Sequence, residues 1–247
     1  MMGKKSEIAN SFAISKQLAI LIDPDNCTPG NVLKIINESR EAQVDYIFVG
    51  GSLLFHSLDD CISLIRSACE IPIVLFPGNV MQISENADAI LFLSLISGRN
   101  PEYLIGHHVV AAPFLKRSGL EILPTAYILI ENGKQTSVQY MSNTSPIPAD
   151  KPEIAIATAM AGEMLGLRYI YLEAGSGASN HVGQTIVSRV KENTSVPLIV
   201  GGGITSAENA AELYNAGASL LVVGNAIEKD FSLIKAIAAV RGKKEIF

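Results

Sequence analysis

The sequence has few basic residues, few cysteines and no long hydrophobic run, and each shortage excludes a class of protein. Lysines and arginines number 19 against 24 acidic residues, so the formal net charge is −5 at pH 7. This balance argues against a nucleic-acid partner, because nonspecific binding of nucleic acid needs a basic face. No apolar run approaches the roughly 18 residues of a membrane span, and the apolar stretch after Lys4 and Lys5 is too short for a signal peptide. We therefore expect no integral membrane span.

The cysteines also argue against a disulfide-rich secreted protein. Cys27, Cys61 and Cys69 form no Cys-X-X-Cys pair, and their number is odd. Neither feature is typical of a disulfide framework. We therefore expect a reducing, cytoplasmic setting.

What the sequence does have is a regular alternation of short apolar runs and longer helix-like segments. Eight strands are predicted, at Leu18–Ile22, Tyr46–Val49, Ile73–Phe76, Ala89–Leu93, Pro124–Ile130, Tyr169–Leu172, Leu198–Val200 and Leu220–Val223. Helices are predicted between them, at Gly30–Ala42, Leu58–Cys69, Pro101–Leu115, Lys151–Leu165, Val182–Asn193, Ala207–Ala216 and Ala226–Val240. Such alternation indicates βαβ units and a parallel sheet, and eight units fit a (β/α)8 TIM barrel of about 250 residues. The predicted fold is α/β, with residues 1–247 as a single barrel domain.

Two connections depart from this pattern. Residues 77–87, after the third strand, are too few for a packed barrel helix, so we predict an irregular third βα unit with a thin or open wall. The connection from Glu131 to Asp150 is long and polar, with an Asn-Gly turn at 132–133. We predict a small hairpin there, between Ile128–Ile130 and Ser137–Tyr140.

Two late strands end in glycine and lead straight into helices. The seventh runs into Gly201–Gly203, and the eighth runs into Gly224 and Asn225. Glycine lets the backbone approach a ligand closely, and a helix N-terminus offers free N–H groups and a favourable dipole to an anion. Because (β/α)8 barrels often bind phosphate after strands 7 and 8, this pair of turns predicts a phosphorylated small-molecule substrate.

The first two strands end in oxygen-bearing side chains. Asp23 follows the first strand and Ser52 the second, and the carboxyl ends of barrel strands carry the chemistry of this fold. Carboxylate oxygens and substrate phosphates are the ligands that Mg²⁺ prefers, so Asp23 and Ser52 are candidate metal ligands. The alternative is that the polar residues of this turn only cap a helix, with Asp25 or Thr28 before the helix that starts near Gly30.

The sixth strand ends in a second polar group. Strand periodicity places Tyr171 and Glu173 on one face, and Gly175 and Gly177 follow them. A glutamate at a strand end in a polar pocket can hold a hydroxyl and accept its proton. The alternative is that Tyr171 fills a layer of the core and Glu173 forms a structural ion pair.

Taken together, these motifs closely resemble the geranylgeranylglyceryl phosphate synthase family, which includes the bacterial PcrB-type enzymes. The matching pieces are Leu21–Asp25, Val49–Ser52, Phe76–Asn79, Tyr171–Gly177, Val200–Ile204 and Val223–Asn225. The resemblance implies a (β/α)8 barrel whose third helix is replaced by irregular chain. One departure is Asn26, which stands where related sequences often have lysine.

The resemblance also implies a reaction and its residues. The family alkylates the C3 hydroxyl of sn-glycerol 1-phosphate with a polyprenyl diphosphate and releases diphosphate. By motif, Glu173 and Tyr171 are catalytic, and Asp23 and Ser52 bind the Mg²⁺ that holds the diphosphate. The implied glycerol 1-phosphate site comprises Tyr171, Leu172, Glu173, Ala174, Gly175, Ser176, Gly177, Gly202, Gly203, Gly224 and Asn225.

Some alternatives stay open at this point. The expected donor is geranylgeranyl diphosphate, with a longer heptaprenyl diphosphate as the alternative, and Tyr103 is a candidate gate for chain length. A sugar-phosphate or indole-pathway isomerase or lyase would share the two glycine turns, but would not need the Tyr171–Gly177 run together with Asp23 and Ser52. Apolar helix surfaces after strands 4 to 6 predict a homo-oligomer, either a dimer or a hexamer.

Overall fold

The computed structural model describes Ile8, Phe12 and residues 16–242, and within these ranges the chain forms a closed parallel barrel. The strands follow chain order around the barrel, and β8 pairs with β1. They are β1 (Gln17–Ile22), β2 (Tyr46–Val49), β3 (Ile73–Leu75), β4 (Ala89–Leu95), β5 (Glu121–Leu129), β6 (Tyr169–Glu173), β7 (Leu198–Gly201) and β8 (Leu220–Val223). The predicted (β/α)8 barrel is confirmed, and β2 and β8 have their predicted bounds.

The helices pack around the outside of this barrel. They are α1 (Pro29–Glu41), α2 (Leu58–Ala68), α3 (His107–Ser118, preceded by a π-helical turn at Glu102–Gly106), α4 (Ser137–Ser142), α5 (Pro152–Met164), α6 (Gln184–Asn193), α7 (Ala207–Asn215), α8 (Asn225–Lys229) and α9 (Leu233–Arg241). The single helix predicted over Ala226–Val240 is in fact two, because the chain is extended at Asp230. Residues 76–88 contain no helix, so the irregular third unit is also confirmed.

The predicted hairpin in the fifth connection is wrong. Ser137–Ser142 forms helix α4, whose first turn is fixed by a capping box between Thr136 and Gln139. The predicted partner segment does not turn back either, because Ile130 pairs in parallel with Ile147. A capping box satisfies two free N–H groups at a helix start, and this local preference outweighs the turn signal of Asn132 and Gly133.

Two hydrophobic layers follow from the alternation of side chains along each strand. One set faces outward and packs against the helices, with Leu18, Ile47 and Leu172 among its fully buried members. The other fills the barrel interior, where Phe48, Tyr171 and Leu91 are fully buried. At the N-terminal end of the barrel the ring of Phe12 is fully buried, 4.9 Å from the Tyr46 ring and 5.3 Å from the Tyr169 ring.

The cysteines differ from the expectation. Cys27 and Cys61 form a disulfide, with Cα atoms 5.8 Å apart, and Cys69 is free and buried. The bond joins the turn after β1 to the first part of α2. Spacing along the sequence gives no sign of it, because the two cysteines are 34 positions apart and come together only when β1 pairs with β2.

Candidate active site

The predicted site residues lie at the C-terminal ends of the strands, around one cavity of about 1010 Å³. Ten of them line it: Asp23, Ser52, Tyr171, Glu173, Ser176, Gly177, Gly202, Gly203, Gly224 and Asn225. The other three do not. Leu172 packs in the outer hydrophobic layer, while Ala174 and Gly175 form the backbone of the turn that follows β6.

Glu173 is buried at the centre of this arrangement, with 5% of its surface exposed. The Gly175 N–H donates to Glu173 Oε1 at 2.6 Å, and the Tyr171 hydroxyl also bonds the carboxylate. No described lysine, arginine or histidine forms an ion pair with it, so the structural ion pair considered from the sequence is absent. Burial raises the pKa of Glu173 from 4.5 to about 7, although both hydrogen bonds act to lower it. A carboxylate with a pKa near neutrality can accept a proton from a bound hydroxyl.

An aromatic cluster encloses this carboxylate. The rings of Phe76 and Tyr171 stack at 5.2 Å, and Tyr127 meets both edge-on at 5.9 and 5.4 Å. Burial and the charge of Glu173 raise the pKa values of Tyr127 and Tyr171 far above 10, so both phenols stay protonated. The sequence interpretation missed Tyr127. The same two-residue alternation that selected Tyr171 could have found it, because the two residues are paired in register on β5 and β6.

The glycine turns have no room for side chains. A Cβ atom at Gly202 would lie 2.4 Å from Glu173 Oε1, and one at Gly203 would lie 2.3 Å from the Asn180 carbonyl oxygen. Both glycines have positive φ angles, of 80° and 69°, which other residues rarely adopt. Glycine at 202 therefore lets the β7 turn lie against the Glu173 carboxylate, and glycine at 203 lets it lie against the Asn180 backbone.

The turn after β8 faces the turn after β6. Gly224 begins helix α8, and Asn225 Oδ1 accepts a hydrogen bond from Ser176 Oγ at 3.0 Å. Three backbone turns, after β6, β7 and β8, therefore converge on one side of the cavity. Exposed backbone N–H groups at such turns suit a phosphate group.

Asp23 follows β1, which pairs with β8, so it lies next to the β8 turn. It is half-buried, and its Oδ1 accepts a hydrogen bond from the Asp25 N–H at 3.0 Å. Burial and the nearby charge of Asp25 raise its pKa, and no described cationic side chain forms an ion pair with it. A Cβ at Gly51 would lie 3.4 Å from both carboxylate oxygens, and Ser52, the next residue, lines the same cavity as Asp23. A carboxylate without an ion-pair partner, in a cavity that also contains a serine, fits a divalent cation.

The other polar residues of the β1 turn have structural roles. Thr28 caps helix α1, as one alternative predicted, by accepting a hydrogen bond from the Asn31 N–H. Asp25 Oδ1 instead accepts bonds from the N–H groups of Phe55 and His56, at 2.9 and 2.8 Å, and thereby holds the loop after β2.

Comparison with known proteins decides the family. The model of the PcrB family matches residues 13–241. The chain belongs to the PcrB family. A geranylgeranylglyceryl phosphate synthase of Chitinophaga pinensis is 53% identical over 239 residues, covering 94% of this chain and 95% of the relative.

A solved structure shows the same fold at lower identity. The (S)-3-O-geranylgeranylglyceryl phosphate synthase of Thermoplasma acidophilum, solved with sn-glycerol-1-phosphate, superimposes with a TM-score of 0.89 and 35% identity, over 97% of this chain and 98% of that one. An N-acetylmannosamine-6-phosphate 2-epimerase of Clostridium perfringens covers 94% of this chain and 95% of its own, at a TM-score of 0.57 and 13% identity, and shares only the barrel. The resemblance that the motifs predicted is confirmed.

This PcrB family member has an apolar extension to its cavity. Leu91 and Leu93 of β4, together with Ala111 and Leu115 of α3, line the same cavity as the three turns. Ile83 also lines this part of the cavity. It belongs to the irregular third unit, which has no helix between residues 76 and 88. The ring of Tyr103 borders the space, and its hydroxyl donates to the Met141 carbonyl at 3.1 Å. The cavity therefore has a polar end and an apolar end.

Asn26 has a specific partner here. Its Nδ2 donates to both carboxylate oxygens of Glu228, at 3.1 and 3.2 Å. Glu228 lies on helix α8 and lines the cavity. The amide therefore ties the β1 turn to the β8 turn without adding a positive charge to the mouth.

Proposed function

We propose that this chain is a prenyltransferase that joins the C3 hydroxyl of sn-glycerol 1-phosphate to geranylgeranyl diphosphate. The observation that carries the proposal is that one cavity contains the converging glycine turns, the buried carboxylate of Glu173 and an apolar extension. A phosphorylated polar acceptor fits the first end and a hydrocarbon chain fits the second. The names of the curated relatives agree with this assignment.

In the proposed reaction the turns after β6, β7 and β8 hold the phosphate of the acceptor, which brings its free hydroxyl to Glu173. The bond between C1 of the prenyl chain and the diphosphate oxygen breaks, and C1 becomes cationic. The glycerol oxygen forms the new ether bond to C1, and its proton passes to the Glu173 carboxylate. Alignment of the two substrates and stabilisation of charge supply much of the rate.

The proposed cofactor is Mg²⁺, with Asp23 and Ser52 as its protein ligands. When bound, the ion offsets charge on the departing diphosphate. Support comes from the Asp23 carboxylate, which has no ion-pair partner among the described residues and lies against Gly51, the residue before Ser52. Within the described residues, no group of three or more histidine, cysteine or acidic side chains could bind a metal ion, so most of the ligands would be substrate oxygens and water.

The test is product formation with purified protein, sn-glycerol 1-phosphate and Mg²⁺. Farnesyl, geranylgeranyl and heptaprenyl diphosphates are compared in parallel, and products are read by mass spectrometry. A C20 ether product is expected, and its loss on adding EDTA would support the metal. A preference for the heptaprenyl donor would favour the longer-chain enzyme. No product with any donor, from folded protein, would overturn the proposal and favour another phosphate-binding barrel enzyme.

The proposed assembly is a homo-oligomer. Val109, Val110 and Phe114 of α3 are 55–65% exposed, and Ile154 and Leu165, at either end of α5, are exposed as well. Apolar patches of this kind are typical of subunit interfaces. Light scattering on the purified chain would distinguish a monomer from a dimer or a hexamer.

The proposed location is the cytoplasm. Among the described residues, no helix is both long and apolar enough to cross a membrane. The Cys27–Cys61 disulfide argues the other way, because disulfides are rare in reducing compartments. Fractionation of cells that produce the protein, with a thiol-labelling assay on the same sample, would test both points.

A further inference from the structure

The loop between β5 and α4 lies directly on the turn that follows β6. On one side of this loop the buried Asn132 side chain donates to the Ala174 carbonyl oxygen. On the other side the buried Thr136 packs over Gly175, where a Cβ would lie only 2.4 Å from Thr136 Cγ2. The loop is therefore anchored to the β6 turn at two points, four residues apart.

Lys134 lies between these anchors. Its Nζ is 3.9 Å from the position that a Cβ of Gly177 would occupy, while the side chain is otherwise exposed. Among the described residues, no carboxylate or carbonyl binds this ammonium group. An exposed ammonium group that lies this close to a backbone turn, without a partner of its own, can reach an anion bound at that turn.

The balance of charges around the cavity also favours an additional cation. Asp23, Glu173, Glu228 and Asp230 line it, against the single described cation Lys229, which stands between two of those carboxylates in the sequence. A phosphate dianion held by backbone N–H groups alone would face this excess of negative charge. Lys134 supplies a positive charge beside Gly177 of the β6 turn, just outside the residues that line the cavity.

We infer that Lys134 binds the phosphate of the acceptor and contributes to specificity for it. Its ammonium group would contact the phosphate next to the Ser176–Gly177 turn. The inference rests on the proposed function for the identity of the acceptor. It adds a cation that the glycine motifs do not contain, and it makes the fifth connection part of the acceptor site. The chemistry recognised is a phosphate monoester, because a neutral polyol would gain nothing from the ammonium group.

The experiment compares Lys134→Met with Lys134→Arg, and uses Lys116→Met as a matched control. Lys116, like Lys134, is an exposed lysine outside the residues that line the cavity, but it lies in the last turn of α3, in a different βα unit from the three glycine turns. Lys134→Met should raise KM for sn-glycerol 1-phosphate by about three- to tenfold, the range expected for one partly exposed charged contact. In Lys134→Met the kcat value and KM for the prenyl diphosphate should stay within about twofold of the parent protein. Lys134→Arg should restore KM for sn-glycerol 1-phosphate, because it keeps the positive charge. Lys116→Met should match the parent protein in all three constants.

Calorimetric titration without donor separates this inference from the proposed function. The dissociation constant of sn-glycerol 1-phosphate should rise in Lys134→Met by the same factor as KM, with a weaker dependence on salt. Unchanged binding, or equal losses of kcat, both KM values and melting temperature, would overturn the inference. If the parent protein makes no ether product, the proposed function fails, and titration with inorganic phosphate alone then decides whether Lys134 serves an anion site.

Discussion

The two sides of the barrel mouth are built in different ways. Around β6, β7 and β8 the backbone forms the site, with three glycine-rich turns and the buried carboxylate of Glu173. Around β2, β3 and β4 side chains form it, with apolar residues next to a wall that has no helix between 76 and 88. A small charged acceptor needs fixed N–H groups at close range, whereas a hydrocarbon chain needs volume and little direction. The comparison teaches that each side is shaped for one substrate.

The sharpest test of this comparison is Glu173→Gln. The variant keeps the size and the hydrogen-bonding oxygen of the side chain but cannot accept a proton. Turnover should fall by about 100- to 10,000-fold, the usual contribution of a general base. Calorimetry should show sn-glycerol 1-phosphate binding within about threefold of the parent protein. An equal loss of turnover and of binding would contradict the assignment of Glu173 as the base.

On the acceptor side, Gly202→Ala should have the next largest effect. The new Cβ would lie 2.4 Å from Glu173 Oε1, so both the turn and the carboxylate must move. Displacements of about 1 Å in an active site can cost about 100-fold, and we expect a loss of that size in kcat/KM for the acceptor.

The matched control is Gly166→Ala, in the turn after α5. Gly166 has a similar φ angle of 86°, but no atom lies within 4 Å of its Cβ position, and it does not line the cavity. This variant separates backbone strain from contact with the site. If both variants lose activity equally, strain alone explains the effect.

On the donor side, Gly78→Ala should weaken binding of the prenyl diphosphate. A Cβ there would lie 2.4 Å from the Gly51 carbonyl oxygen and 2.8 Å from the Ser52 Cα atom. Displacing Ser52 should raise KM for the prenyl diphosphate, and the Mg²⁺ concentration needed for half-maximal rate, by about tenfold, as changes around metal ligands do. Binding of sn-glycerol 1-phosphate, measured by calorimetry, should be unchanged. A shared loss would show that the two sides are coupled.

The next prediction is that acid lowers activity through protonation of Glu173. Because the pKa of Glu173 is about 7, the fraction that can accept a proton falls as pH drops below neutrality. We expect kcat/KM to decrease by roughly five- to tenfold between pH 7.5 and pH 6, with one ionisation in the profile. The residual activity of Glu173→Gln should lack this limb.

The smallest predicted effect concerns the free energy of unfolding. It should fall as pH rises, whereas activity should increase. The pKa of Glu173 is higher in the folded chain than its ordinary value of 4.5, so the folded state binds more protons between pH 4.5 and about 7. Its contribution to the free energy of unfolding therefore falls as pH rises through that window. Glu173→Gln should be more stable than the parent protein at pH 8, by up to about 3 kcal/mol, and equal to it near pH 4. Urea unfolding at the two pH values measures the difference.

Much of this fold could be predicted from the sequence because its signals are local. Buried parallel strands are apolar throughout, and glycine turns mark their ends, which is why β2 and β8 match their predicted bounds. The motifs at the strand ends also brought Asp23, Glu173 and Gly202 to one cavity.

What could not be predicted depends on contacts between distant segments. The Cys27–Cys61 disulfide, the Asn26–Glu228 contact and the position of Lys134 over Gly177 all arise when loops from different strands meet. Helix α4 is a different case. The spacing of Thr136 and Gln139 is that of a capping box, and this local signal competes with the turn signal of Asn132 and Gly133.

The buried ring of Phe12 has a consequence for any shortened form of this protein. The match to the PcrB family begins at residue 13, so Phe12 lies just outside the segment shared with the family model. A chain cut to that segment would keep all the active-site residues and all eight strands. It would nevertheless leave a hole between Tyr46 and Tyr169 at the far end of the barrel, where the loss of a buried phenylalanine costs about 3–5 kcal/mol. The family boundary and the folding boundary of this protein are therefore different.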